Sequence, residues 1–233
     1  MSEEIIKSSD RVKDIGEVFT PKKIVNFMLD QPEIQAKVNN LSATFLEPSA
    51  GEGAFLTEIL NRKLKVAFNK SKTIKGLNDN FLLTLSSLYG IELMEDNVEM
   101  LVMNMNETFQ REYLSAMDTF KVKPNRNVLE SAKIIIRANM AQGDALTRRT
   151  NTGEPIIFSE WKELQSQRGI RKVQRTEYTF DSIVEGTGPK GFVSQHSEQL
   201  DLFSSYENAQ IKKPTSKRYL PVKWEYVYKQ LVE

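Results

Sequence analysis

The chain has 233 residues, 32 of them basic and 31 acidic, with a single histidine and no cysteine. Without cysteine, disulfides and thiolate metal sites are excluded, and a reducing, cytoplasmic setting is expected. The near-neutral balance lacks the global positive charge of an obligate nucleic-acid binder. No apolar run approaches the ~20 residues that span a bilayer, so no membrane partner is expected, and the polar, acidic start MSEEIIKSSD does not read as a signal peptide.

In chain order, Pro21 stands where a helix opens, since proline suits the first helical position. Residues 41–60, LSATFLEPSAGEGAFLTEIL, are predicted to form a strand, a tight turn and a helix. Pro48, Ser49, Gly51 and Gly53 make the turn, and Phe55, Leu56, Ile59 and Leu60 recur at helical spacing. Phe81, Leu82, Leu85 and Leu88 suggest a second helix, LYGIEL a strand ending on an acid, and Val98, Leu101, Val102 and Met105 another amphipathic stripe. Residues 132–146, AKIIIRANMAQGDAL, are expected to be an apolar strand followed by a turn at Gly143 and Asp144. This alternation predicts an α/β fold with a parallel sheet and helices on both faces.

Beyond Thr147 the pattern weakens. IIFSEW (156–161) and TFDSIV (179–184) are predicted short strands, residues 185–217 a linker holding the lone His196, and RYLPVKWEYVYKQLVE a docking strand or short helix. Two basic blocks stand out. One runs from Trp161 to Arg175, and the other holds Lys212, Lys213, Lys217, Arg218 and Lys223. Each is open to two readings, solvated surface or a local phosphate-contacting strip.

Three predicted strand ends carry groups suited to a nucleoside, and in open α/β sheets ligands bind at the carboxyl ends of strands. Glu47-Pro48-Ser49-Ala50-Gly51-Glu52-Gly53 lets backbone approach a ligand closely. Glu92 is an acceptor for ribose hydroxyls, and Asp144 an acceptor for an adenine amino group. FLEPSAGEGAFL resembles the cofactor motif of S-adenosyl-L-methionine-dependent DNA methyltransferases that act on the exocyclic amino group of adenine. IELMEDN and QGDAL are similar to the next two motifs of that family, and DIGEVFTPKKIVNFML to its N-terminal motif. The resemblance covers roughly residues 11–147 and points to the modification subunits and fused enzymes of restriction systems.

The resemblance implies a doubly wound, Rossmann-like methyltransferase sheet, truncated, with a loop-rich C-terminal extension. It implies that Phe19, Thr20 and Pro21 shape the methionine side of the cofactor, and that Glu47, Pro48, Ser49, Gly51 and Gly53 surround its amino-acid moiety. Glu92 would take the ribose, Met94 would pack on the adenine, and Asp144 would bind the adenine amino group, with Ala145 and Leu146 beside it. Met94 and Leu146 are equally readable as ordinary core. Implied partners are DNA and a methyltransferase or specificity subunit.

The sequence departs from the family at its catalytic Asn/Asp-Pro-Pro-aromatic turn, because the chain has no Pro-Pro pair. The nearest candidates are Phe180–Gly188, resembling a fourth strand running into a loop, and IIFSEW, where Glu160 and Trp161 offer an acceptor and a stacking ring. The residues after Val184 are too few for the remaining strands and a recognition domain. Three alternatives stay open: a divergent methyltransferase, a cofactor-binding subunit completed by a partner, and an inactive derivative from a mobile element.

Gln199-Leu200-Asp201-Leu202-Phe203 resembles the pentapeptide with which bacterial proteins dock on the DNA sliding clamp, as short apolar anchors do. The same alternation also fits a half-buried strand packed on the domain. The expected organisation is a cofactor-binding core over 1–150, a divergent region over 151–184, a linker over 185–217 and a docking segment over 218–233.

Overall fold

The structure, a computed structural model, describes residues 18–167, 169–187 and 218–233. It is a mixed α/β fold. The described elements are α1 (Lys22–Leu29), α2 (Pro32–Val38), β1 (Phe45–Glu47), α3 (Ala54–Lys70), α4 (Ile74–Leu85), β2 (Leu88–Glu92), α5 (Glu95–Thr119), α6 (Arg126–Asn139) and β3 (Met140–Gln142). They are followed by β4 (Ile157–Gln167), β5 (Ile170–Thr179), α7 (Phe180–Val184), β6 (Val222–Lys223) and a 3-10 turn over Trp224–Lys229.

Strands β1, β2 and β3 form a parallel sheet in that order, with Phe45 opposite Leu88 and Gly90 opposite Met140. Parallel neighbours need long crossovers, and α3–α4 and α5–α6 supply them. Alternate residues of β2 face opposite ways. Leu88 and Gly90 meet the main helical core, where a side chain at Gly90 would run into Leu56 and Met140 within about 3 Å. Tyr89 and Ile91 meet a smaller cluster of Ile156, Phe158 and Phe180, with the Tyr89 and Phe158 rings 5.5 Å apart.

The main core is built by α3–α6. Phe81, Phe109 and Tyr113 form an aromatic group with centroids 6.0–6.2 Å apart. The buried Tyr113 hydroxyl donates to Asn78 and accepts from the Asn125 amide, so its polar end is satisfied. Lys63 of α3 is fully buried under β1. Its Nζ donates to the Ala43 carbonyl (2.6 Å) and Ser87 Oγ (2.8 Å), and burial lowers its pKa to about 7.

Residues 132–139 are helix, not the expected strand. Val128, Ser131, Ala132, Ile135, Ile136 and Asn139 bury one face of α6 at helical spacing, which outweighs the β-branched run, and only Met140–Gln142 is strand. Phe180–Val184 is likewise helix, opened by Thr179, whose side chain accepts from the Ser182 amide. IIFSEW lies in the first strand of a long antiparallel hairpin, β4–β5, and β6 adds to the other edge of β5. The C-terminal segment docks as both strand and helical turn, with Trp224 fully buried against α6 and the hairpin.

Candidate functional site

The glycine loop lies at the carboxyl end of β1 and runs straight into α3. Gly51 (φ 54°) and Gly53 (φ 91°) both occupy the left-handed region that favours glycine. A side chain at Gly53 would also strike Leu101 at 2.5 Å, whereas Gly51 has open space around it. The Ala50 amide donates to the Ile91 carbonyl, and the Gly53 amide to Ala50, so the loop is fastened to the end of β2.

In front of this loop is a cleft of about 580 Å³. Phe19, Thr20 and Pro21 form one wall, Glu47, Gly51 and Glu52 the floor, and Thr57, Glu58 and Asn61 of α3 face Asn104, Thr108 and Arg111 of α5. Pro21 sits at the start of α1, one residue before its first helical position, and the amides of Ile24 and Val25 donate to its carbonyl.

Glu47 is the electrostatic centre of the cleft. Burial and the nearby Glu92 carboxylate raise its pKa to about 8, against a hydrogen bond from the Leu56 amide. Its Oε2 and Asn61 Oδ1 are buried acceptors that make no hydrogen bond among the described residues. Unpaired buried acceptors are costly, and two of them in one cleft suit a ligand that brings N–H donors, above all an ammonium group.

Glu92 stands behind Gly51 and does not line the cleft. It is 8% exposed, and its Oε2 accepts from the Gly51 amide at 2.8 Å while Oε1 accepts from the Met94 amide at 3.0 Å. Oε1 also accepts from Asn97 Nδ2 at 3.4 Å; of a carboxylate's roughly four lone-pair sites, about one remains for a hydroxyl donor. Met94 caps α5 and is half-buried, and Pro48 and Ser49 are exposed on the loop.

Asp144 and Ala145 lie at the end of β3, outside the cleft wall. Asp144 Oδ1 accepts from the Leu146 amide at 2.8 Å, and Ala145 packs on the Phe158–Phe180 cluster. Leu146 is 93% exposed and is not core. The Gly143 amide donates to the Glu92 carbonyl, so the ends of β2 and β3 are joined directly.

Sequence reasoning missed Asn61, Asn104 and Arg111. Their signal was helical spacing. Asn61 falls one turn after Thr57, and residues 104, 108 and 111 share a face of α5.

Neither candidate for a catalytic turn has the proposed form. Trp161 is buried, and its Nε1 donates to Asn139 Oδ1, so its ring is not free to stack on a base. Glu160 is exposed and accepts from the Tyr178 hydroxyl at 2.9 Å. It lines an apolar groove of about 450 Å³ with Phe45, Leu46, Tyr89 and Phe180, at the opposite end of β1 from the glycine loop. Asp181 is held by Arg148 and Arg149, which keep its carboxyl below the usual range.

Residues 199–203 lie outside the described residues, as does His196. Among the described residues, no three His, Asp or Glu side chains are grouped to hold a metal, and no helix is long and apolar enough to cross a membrane. Comparison of the chain with known protein families, characterised proteins and solved structures finds no match.

Proposed function

We propose that the chain binds S-adenosyl-L-methionine in the cleft before the glycine loop and acts as part of a DNA methyltransferase that modifies the exocyclic amino group of adenine. The observation that carries this reading is the meeting of three elements in one cleft. These are the Phe19-Thr20-Pro21 turn, the loop with two left-handed glycines, and two unpaired buried acceptors of the lining, Glu47 Oε2 and Asn61 Oδ1.

The residues fit the cofactor's methionine end, where Glu47 and Asn61 would accept from its ammonium group and Phe19–Pro21 would cover it. When bound, the cofactor supplies a methyl group on a sulfonium centre. The nucleoside would extend out of the cleft over the glycine loop. There Glu92, with about one lone pair left beyond those taken by Gly51, Met94 and Asn97, would accept from a ribose hydroxyl, and Asp144 would accept from the adenine amino group.

A partner subunit is part of the proposal. Among the described residues β1 is an edge strand, so no fourth parallel strand stands beside it to present a catalytic turn. A chain supplying that strand would complete a truncated doubly wound sheet. Residues 199–203 would tether the assembly to a sliding clamp and raise its local concentration on DNA.

A methyl-transfer assay on adenine-containing duplex DNA tests the activity, with Asp144→Ala as control and with and without candidate partner chains. Cofactor binding with no transfer under any partner condition would leave the second reading, an inactive methyltransferase-like interaction protein. The open edge of β1 is the observation that favours it.

A further inference from the structure

The sheet formed by β4, β5 and β6 has two unlike faces. Trp161, Val173 and Val222 point inward to the core. Strand alternation puts Lys162, Lys172 and Lys223 on the opposite face, with Leu164 and Gln174 beside them and Thr176 further along, opposite Glu160.

The cations of this sheet divide by face. The arginines are committed to structure. Arg171 is held by Glu163 at 2.6 Å and by Asn80 at 2.7 Å, and Arg175 by Glu177 at 2.8 Å and Ser159 at 2.9 Å. Lys162 and Lys172 are exposed and make no ion pair or hydrogen bond among the described residues. Lys172 lies directly opposite Lys223 in the β5–β6 ladder. Like charges in that position destabilise a sheet, so folding does not account for the pair.

Beside them Tyr226 carries two ammonium groups over its ring, Lys223 at 5.6 Å and Lys229 at 4.7 Å. Among the described residues of β4–β6, the one acid on this face is Glu160, which is engaged by Tyr178.

We infer that this lysine face is a docking surface for the phosphate backbone of duplex DNA. Two residues along a strand span about 6.6 Å and neighbouring strands lie about 4.8 Å apart. The three lysines therefore fall within roughly 12 Å, over which one strand of a duplex presents about three phosphates. A sheet face with flexible cations matches a regular polyanion, whereas a protein partner needs a desolvated apolar centre, and the one apolar side chain among the lysines, Leu164, does not make one. The choice of DNA among polyanions rests on the function proposed above. The anion-binding face rests on the lysines alone.

The test is binding of a fluorescent duplex to the full chain across a salt series, comparing wild type with Lys162→Gln/Lys172→Gln/Lys223→Gln. A second triple variant, Lys65→Gln/Lys121→Gln/Lys123→Gln, makes the same change in net charge elsewhere. The salt slope should become shallower by about 0.9 for each lysine removed from the sheet face, and the control triple should keep the wild-type slope. The melting temperature of the sheet variant should hold or rise, because the Lys172–Lys223 repulsion is relieved. Equal slopes for the two triples, or no salt-dependent binding by wild type, would overturn the inference. Titration with S-adenosyl-L-methionine on the same samples reports the cofactor reading separately. A lysine-dependent slope without cofactor binding would keep the DNA face and remove the proposed activity.

Discussion

The Gly51 amide donates to Glu92 Oε2 at 2.8 Å, joining the loop after β1 to the carboxylate that ends β2. With the Ala50-to-Ile91 bond, this sets the mouth of the cleft before any ligand arrives. The two carboxylates behind the loop then do different work. Glu92 accepts from the Gly51 and Met94 amides and from Asn97 Nδ2 and holds the loop, while Glu47 keeps an unpaired oxygen and a raised pKa.

The two loop glycines should respond differently to alanine. Gly53→Ala combines a left-handed backbone with a clash against Leu101 and should cost about 2 kcal/mol or more in denaturant unfolding. Gly51→Ala has open space and should cost about 1 kcal/mol of backbone strain while weakening cofactor binding. Equal destabilisation by both would contradict the assigned packing.

Glu47 predicts a pH optimum for cofactor binding. Its carboxyl titrates at about 8 and must be ionised to pair with the ammonium group. An α-ammonium loses its own proton near 7.7–8.0. Affinity for S-adenosyl-L-methionine should therefore peak near pH 8 and fall up to tenfold per unit on the acid side. Glu47→Gln should flatten that acid limb, as followed by calorimetry from pH 6 to 9, and an unchanged limb would refute the assignment.

Trp161 is predicted to be structural. Asn139 donates to the carbonyls of Ser86 and Leu88 and accepts from Trp161 Nε1 at 3.0 Å, tying α6, β2 and the hairpin together. Trp161→Phe leaves a buried acceptor unpaired and should cost about 1–3 kcal/mol in urea unfolding. A stacking role would predict unchanged stability with impaired DNA modification.

Lys63 should make stability depend on pH in the alkaline range. Folded Lys63 titrates at about 7 against an ordinary 10.5. As pH falls from 10.5 to 7, the unfolded chain takes up a proton that the folded chain does not, so stability declines across that window and levels off below it. The wild type should gain stability relative to Lys63→Met between pH 7 and 10 in thermal melts, and parallel curves would show the lysine to be charged in the fold.

The proposed clamp contact of residues 199–203 is tested by retention of purified sliding clamp on the immobilised chain. Wild type should retain it and Leu202→Ala/Phe203→Ala should not, since a few apolar anchors carry such contacts. Equal retention would remove the tether.

The parts legible in the sequence were those where chemistry forces residue type. Glycines at 51 and 53 mark a loop that other residues adopt only at a cost, and Leu56, Ile59 and Leu60 mark the buried side of α3. The strand ending on Glu92 was legible as an apolar run closed by an acid. Ile134–Ile136 misled because β-branched residues favour strands locally, while the burial of Val128, Ala132 and Ile135 that makes them helical depends on tertiary packing. Phe180–Val184 misled because the Thr179 cap, a short-range signal, was outweighed by an apolar run. Asn61 carries only its helical spacing from Thr57, and its place in the cleft follows from where α3 lies.

The central claim is that this cleft binds S-adenosyl-L-methionine, and calorimetric titration of wild type beside Glu92→Ala tests it most directly, with melting curves confirming that both are folded. One equivalent should bind wild type, and the variant should bind at least about tenfold more weakly, or about 1.4 kcal/mol. No binding by wild type, or equal affinity in both, would contradict the account.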